Sequence, residues 1–244
     1  TRKGSPLVVG VGNEEYFVSS DIPSFLEWTK RVIYLKDLDV IKVSKDGVII
    51  ENLEEGIVER PVDTVDWSAE EVKKGSFEHY MLKEILEQTK TVQRAIQQKN
   101  DIIQWIVDQM KNAKGIFFIG SGSSYHACLA GSYLFSKIAG LHVNVVYASE
   151  FSNYEHFLCD KTLVFAVSQS GETADVLEAV RAAKRHGSKV ISIVNRPGST
   201  LTYESDAFLL MNAGPEICVL STKTYTSQVA LMALLAYAFA GKLR

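Results

Sequence analysis

The residues best suited to chemistry in this chain are Ser168-Gln169-Ser170-Gly171-Glu172-Thr173. They follow an all-apolar run, residues 163–167, short enough for a buried parallel strand, and they lead into a helix-like segment beginning at Thr173. A turn between the carboxyl end of a strand and the amino end of a helix is where α/β proteins bind anions, because the first helical N–H groups have no partner inside the helix. Hydroxyls and one glycine, with no lysine or arginine among them, point to a phosphate held by neutral donors and backbone N–H groups. Two further loops share this placement: Gly120-Ser121-Gly122-Ser123-Ser124, and Glu216-Ile217-Cys218-Val219-Leu220-Ser221-Thr222-Lys223. In a parallel sheet such loops converge at one edge and surround a single small polar ligand with hydroxyls. Serine and threonine are also ordinary helix caps, and Gly122 and Gly171 ordinary turn glycines; the recurrence at matched topological positions favours the ligand site.

The elements that position these loops are legible as a change of period. Residues 116–119, 143–147, 163–167, 190–194 and 208–211 read as strands, and residues 124–139, 173–186 and 222–239 as helices. That alternation predicts a doubly wound parallel sheet with helices on both faces. Upstream, the apolar residues from Met81 to Met110 fall near helical spacing and give one or two amphipathic helices. The first 66 residues carry short β-like runs at 7–11, 32–35, 39–43 and 48–50, with Lys45-Asp46-Gly47 as a hairpin signal, and read as mainly antiparallel. Asp21-Ile22-Pro23 opens a short capped helix, and the polar, acidic residues 62–77 read as an interdomain segment.

Composition bounds the function. With 244 residues, 46% of them hydrophobic, the chain can bury a substantial core, and its net charge of -3 offers no basic footprint for nucleic acid. Cys128, Cys159 and Cys218 form neither a C-x-x-C pair nor a Cys/His cluster, so no disulfide framework and no metal site is expected, and the default setting is cytoplasmic. The apolar stretch 229–240 is too short for a membrane span and reads as a buried helix.

Other candidates are weaker. Gly120-x-Gly122 lacks the third glycine of a dinucleotide loop, since Tyr125 stands there, and no acidic residue follows on the next strand. Glu172 suits a helix-dipole partner better than a general acid or base, and Lys223 a solvated or ion-paired side chain better than a carbinolamine nucleophile. The histidines are scattered without ligand spacing, and Thr1 precedes interior-like sequence rather than leading a strand as a nucleophile.

Several of these segments, taken with others, resemble one family. Arg2-Lys3-Gly4-Ser5-Pro6-Leu7-Val8, Ser19-Ser20-Asp21, His79-Tyr80-Met81-Leu82-Lys83-Glu84-Ile85-Leu86-Glu87-Gln88, the Ser168 to Thr173 turn, Asn212-Ala213-Gly214-Pro215-Glu216-Ile217 and Ser221-Thr222-Lys223 are similar to segments of the isomerising glutamine–fructose-6-phosphate aminotransferases, or glucosamine-6-phosphate synthases. The resemblance runs across nearly the whole chain. It implies that residues 1–66 are the later part of an amino-terminal-nucleophile glutaminase domain, 67–78 a linker, and 79–244 the first sugar isomerase (SIS) domain. The implied fold class is α/β, a doubly wound parallel sheet preceded by a mainly antiparallel α+β remnant.

The same resemblance implies the site. Ser123, Ser124, Ser168, Gln169, Ser170 and Thr173 would bind the sugar phosphate, and Gly122, Val219 and Ser221 would line the sugar end. Five positions depart from the family pattern: Ser121-Gly122-Ser123-Ser124 stands for Cys-Gly-Thr-Ser, Cys218 and Leu220 replace small residues, and Thr89 replaces a proline. The implied ligands are fructose 6-phosphate or glucosamine 6-phosphate, with glutamine used by the full-length protein, no cofactor or metal, and a homodimer. The family's catalytic residues belong to segments not represented here, so this segment is expected to bind sugar phosphate without turnover. The alternatives are a non-catalytic sugar-phosphate sensor and an isomerase of another sugar phosphate.

Overall fold

The computed structural model describes residues 1–4, 6–44 and 47–243; Ser5 of the amino-terminal motif, Lys45-Asp46 of the hairpin signal and Arg244 lie outside them. The chain divides into two compact units, residues 1–76 with 198–200, and residues 77–197 with 201–244.

The first unit is antiparallel. Strands β1 (Val8–Val11), β2 (Tyr16–Ser19), β3 (Arg31–Tyr34) and β7 (Val62–Thr64) form one sheet in the order β2-β1-β3-β7, and β4 (Asp39–Ser44), β5 (Gly47–Asn52) and β6 (Gly56–Val58) a second. Alternation along β1 and β3 sorts the core: Val8, Val32 and Tyr34 pack with Ile22, Phe25 and Leu26, whereas Val9 and Ile33 pack with Leu35 and Ile50 on the other face. Residues 62–64, read from sequence as interdomain chain, form an edge strand whose exposed side chains give no alternation to read. Ser68 and Glu71 then close a capping box on α1 (Ala69–Val72).

A buried ion pair holds this unit. Asp39 accepts from Arg60 Nε and Nη2 at 3.0 and 2.8 Å and from Asn52 Nδ2 at 2.8 Å. Burial alone would raise its carboxyl pKa, but the hydrogen bonds from Arg60, Asn52 and the Lys36 N–H, with the Arg60 charge, hold it below the usual value. A depressed folded-state pKa stabilises above the unfolded value of about 3.9 and loses that contribution as pH falls through the folded value. Asp39→Ala, which strands a buried guanidinium, is expected to cost about 3 kcal/mol. Urea denaturation at neutral pH, with Trp28 and Trp67 reporting on this unit, reads the loss as a lowered midpoint.

The second unit is the doubly wound domain. After α2 (Tyr80–Ala95) and α3 (Asn100–Asn112) come β8 (Gly115–Gly120), α4 (Ser123–Leu134, continued by a π turn, Phe135–Ala139), β9 (Asn144–Tyr147) and a 3₁₀ segment, Ala148–Phe157. Then follow β10 (Thr162–Ser168), α5 (Ala174–Arg185), β11 (Lys189–Val194), α6 (Thr200–Glu204), β12 (Ala207–Leu210) and α7 (Lys223–Phe239). The five strands are parallel in the order β12-β11-β10-β8-β9. Alternate residues divide the core between the faces: Phe118, Phe165, Val167, Ile191 and Ile193 meet α3, α4 and α7, and Phe117, Ile119, Val164, Ala166 and Val190 meet α5 and the 3₁₀ segment. No helix among the described residues is long and apolar enough to cross a membrane.

Helix α2 has the amphipathic period expected, yet the face it buries is polar. Lys83, Glu84, Thr91 and Ala95 are buried, while Met81, Leu82, Ile85 and Leu86 are exposed. The reason lies in what Glu84 and Glu87 bind, described next.

Candidate functional site

The lateral order of the strands reverses between β8 and β10: β8 is followed by β9 on one side, and β10 by β11 and β12 on the other. The loops after β8 and β10 therefore diverge to opposite faces and leave a crevice at their carboxyl ends, the switch point where open α/β sheets bind ligands. A cleft of about 220 Å³ lies there, lined by Ser121, Ser123, Ser124, Val167, Ser168, Gln169, Ser170, Thr173, Val219, Leu220 and Ser221. Eight of the nine residues expected from sequence are thus brought together. Gly122 is not among the lining residues, and its N–H donates to the Tyr147 hydroxyl at 2.9 Å.

Glycine is required on both sides of that turn. Gly122 has φ 55° and ψ -128°, a conformation that strains any side-chain-bearing residue. At Gly120 a Cβ would lie 2.9 Å from the Ser124 carbonyl carbon, so only glycine lets α4 start this close to its strand.

The walls are not chemically alike. Neither α4 nor α5 has a side-chain hydrogen bond capping its amino end. Their hydroxyls are instead pre-oriented by donors: Ser168 Oγ accepts from the Gly171 N–H at 3.1 Å, Ser170 Oγ from the Glu172 N–H at 3.1 Å, and Ser124 Oγ from Gln228 Nε2 at 3.1 Å. A hydroxyl that accepts one bond keeps its proton free to give, so Ser124 and Ser170 can each donate to an anion. Ser168 and Thr173 share a hydroxyl pair at 2.9 Å, and Ser121 Oγ is buried without a partner among the described residues.

The α7 wall is already supplied with negative charge. Glu216 accepts from the Thr222 and Thr224 N–H groups at 3.0 and 3.2 Å and neutralises the start of α7. Glu84 accepts from the Ile217 and Cys218 N–H groups at 2.6 and 3.1 Å, and Lys223, only 2% exposed, donates to Glu87 at 2.7 Å. Lys223 is therefore ion-paired rather than solvated, the two states the sequence left open, and among the described lining residues none is cationic. Asn195 ties the walls together: its N–H donates to the Gln169 carbonyl at 3.1 Å and its side chain bonds Gly214 O and the Ala213 N–H at 2.8 and 3.0 Å.

Sequence reasoning passed over Glu84, Asn195 and Gln228. Asn195 had a signal, as the first polar residue beyond an apolar strand; Glu84 and Gln228 had none, since each sits inside a helical period. Among the described residues no group of three His, Cys, Asp or Glu side chains is placed to hold a metal ion. Cys128 is buried in the core, which pushes its thiol pKa far up and leaves it unreactive.

A doubly wound domain with a hydroxyl-lined cleft at its switch point defines a class of α/β protein. Within that class the chain belongs to the SIS domain family, which matches residues 109–238. Over 237 residues it is 43% identical to a glutamine–fructose-6-phosphate aminotransferase (isomerising) of Thermococcus kodakarensis, covering 96% of this chain but 39% of that protein. The solved C-terminal domain of glucosamine-fructose-6-phosphate aminotransferase from Francisella tularensis superposes with TM-score 0.63 at 33% identity, covering 70% of this chain and 50% of that one. A glucosamine-6-phosphate deaminase of Thermotoga maritima superposes with TM-score 0.56 at 26% identity, covering 68% and 50%.

Glu84→Ala removes the acceptor of two backbone N–H groups in the α7 loop. With about 2 kcal/mol for charged hydrogen bonds of this kind, amide exchange at Ile217 and Cys218 is expected to quicken by roughly 30-fold. Hydrogen exchange read residue by residue checks it.

Proposed function

We propose that this chain is the sugar-phosphate-holding part of an isomerising glutamine–fructose-6-phosphate aminotransferase. In this reading Ser123, Ser124, Ser168, Gln169, Ser170 and Thr173 hold the phosphate of fructose 6-phosphate or glucosamine 6-phosphate, and Val219 and Ser221 border the sugar. Gly122 serves by shaping the turn.

The observation that carries the reading is the pairing of two helix starts lacking side-chain caps with donor-oriented hydroxyls around one cleft. A phosphate supplies the acceptors that those N–H and O–H groups lack, and low charge on the walls lets a sugar phosphate leave again. The chain spans about two fifths of the aminotransferase relatives' length, so the reaction belongs to the whole protein: transfer of nitrogen from glutamine to fructose 6-phosphate, in a cytoplasmic homodimer. The proposed division of labour gives this segment binding and leaves bond making to groups contributed elsewhere. The likeness to a glucosamine-6-phosphate deaminase supports a second reading, a related sugar-phosphate enzyme or sensor, with glucosamine 6-phosphate as the shared ligand.

Isothermal titration with fructose 6-phosphate, glucosamine 6-phosphate and ribose 5-phosphate tests the ligand class. The aminotransferase reading predicts binding of both hexose phosphates; binding of the pentose phosphate alone would overturn it. The Ser168→Ala, Ser170→Ala double variant is expected to lose about 1.5–3 kcal/mol per hydroxyl, and unchanged affinity would remove the site.

A further inference from the structure

The hydroxyls of the cleft do not all present the same end to a ligand. Thr224 is fully buried, and its hydroxyl has two neighbours: Glu216 Oε2 at 2.5 Å and Ser221 Oγ at 2.7 Å. A carboxylate offers only acceptors, so the single Thr224 proton goes to Glu216, in the short bond that a charged acceptor makes. The Thr224 oxygen is then an acceptor, and the proton of the Ser221–Thr224 contact must come from Ser221. Ser221 lines the cleft with its own proton spent, leaving lone pairs toward the ligand.

We infer that Glu216, acting through Thr224, makes Ser221 an obligate acceptor and so fixes which way round a ligand lies in the cleft. This rests on the sugar-phosphate reading above and deepens it. The walls at α4 and α5 give protons and take the anionic end. The wall at α7 takes a proton and selects a ligand with a hydroxyl to give at its other end, and its carboxylate-capped start disfavours the phosphate there. Glu216 and Thr224 are positioning residues: neither lines the cleft. A phosphate without a sugar satisfies one wall only.

The isosteric variant Glu216→Gln tests the direction of the relay. Its amide oxygen can still accept from the α7 N–H groups, while its NH₂ donates to Thr224, turning the Thr224 proton toward Ser221 and the Ser221 proton into the cleft. Titration of the intact chain with fructose 6-phosphate and with inorganic phosphate is expected to show about a 10-fold loss for the sugar phosphate and none for phosphate, whatever the small fall in melting temperature from loss of the Glu216 charge at the helix start. Thr224→Val is expected to show the same selective loss and Thr224→Ser to restore wild-type binding. Unchanged fructose 6-phosphate affinity in Glu216→Gln would overturn the relay, as would an equal loss for both ligands, which marks a merely structural cap. Absence of fructose 6-phosphate binding in the wild-type chain would overturn the underlying reading, and this inference with it, and is seen before any variant is made.

Discussion

Three helices, α4, α5 and α7, begin around the cleft at the switch point, and each brings N–H groups that must find acceptors. How those donors are satisfied organises the second unit. At α7 the answer is internal: Glu216 serves Thr222 and Thr224, and Glu84 serves the loop before them. At α4 and α5 no side chain caps the helix, and the nearby hydroxyls are turned to donate. The cleft therefore has a proton-rich side and a proton-accepting side, and under the proposed sugar-phosphate reading that asymmetry favours one orientation of the ligand.

This constraint explains why α2 buries carboxylates. An amphipathic helix would ordinarily set its aliphatic residues inward, but a loop of exposed backbone donors at 217–218 and the buried Lys223 ammonium both need anions. Glu84 and Glu87, one turn apart, supply them, and Lys83 lies within 3.7 Å of Glu87. The apolar side with Met81, Leu82, Ile85 and Leu86 is displaced outward. Asn195 plays the neutral version of the same part, using one amide and one N–H to hold the β10 loop against the segment entering α7.

Much of this was legible in the sequence where the signal is local. The all-apolar run 163–167 gave a fully buried central strand, the five parallel strands appeared near their expected positions, and Ser168 to Thr173 sits at the carboxyl end of β10 as its composition implies. What was not legible depends on contacts distant in the chain. Glu84 reaches residues 217 and 218, and Gln228 reaches Ser124; neither has a local pattern to announce it. Strands β6 and β7 were passed over because short edge-lying segments with exposed side chains carry little period-two signal, and β2 because its four mostly half-buried residues pack on both faces.

In the proposed reading the anion is held by the starts of α4 and α5 and not by that of α7. Backbone amide chemical shifts of the ¹⁵N-labelled chain, followed during titration with fructose 6-phosphate, test it most directly. The largest shifts are expected at Ser123 to Tyr125 and at Ser170 to Asp175, with Thr222 to Thr224 shifting far less because Glu216 already holds the Thr222 and Thr224 N–H groups. Large shifts at Thr222 to Thr224 with none at the other two helix starts would contradict it.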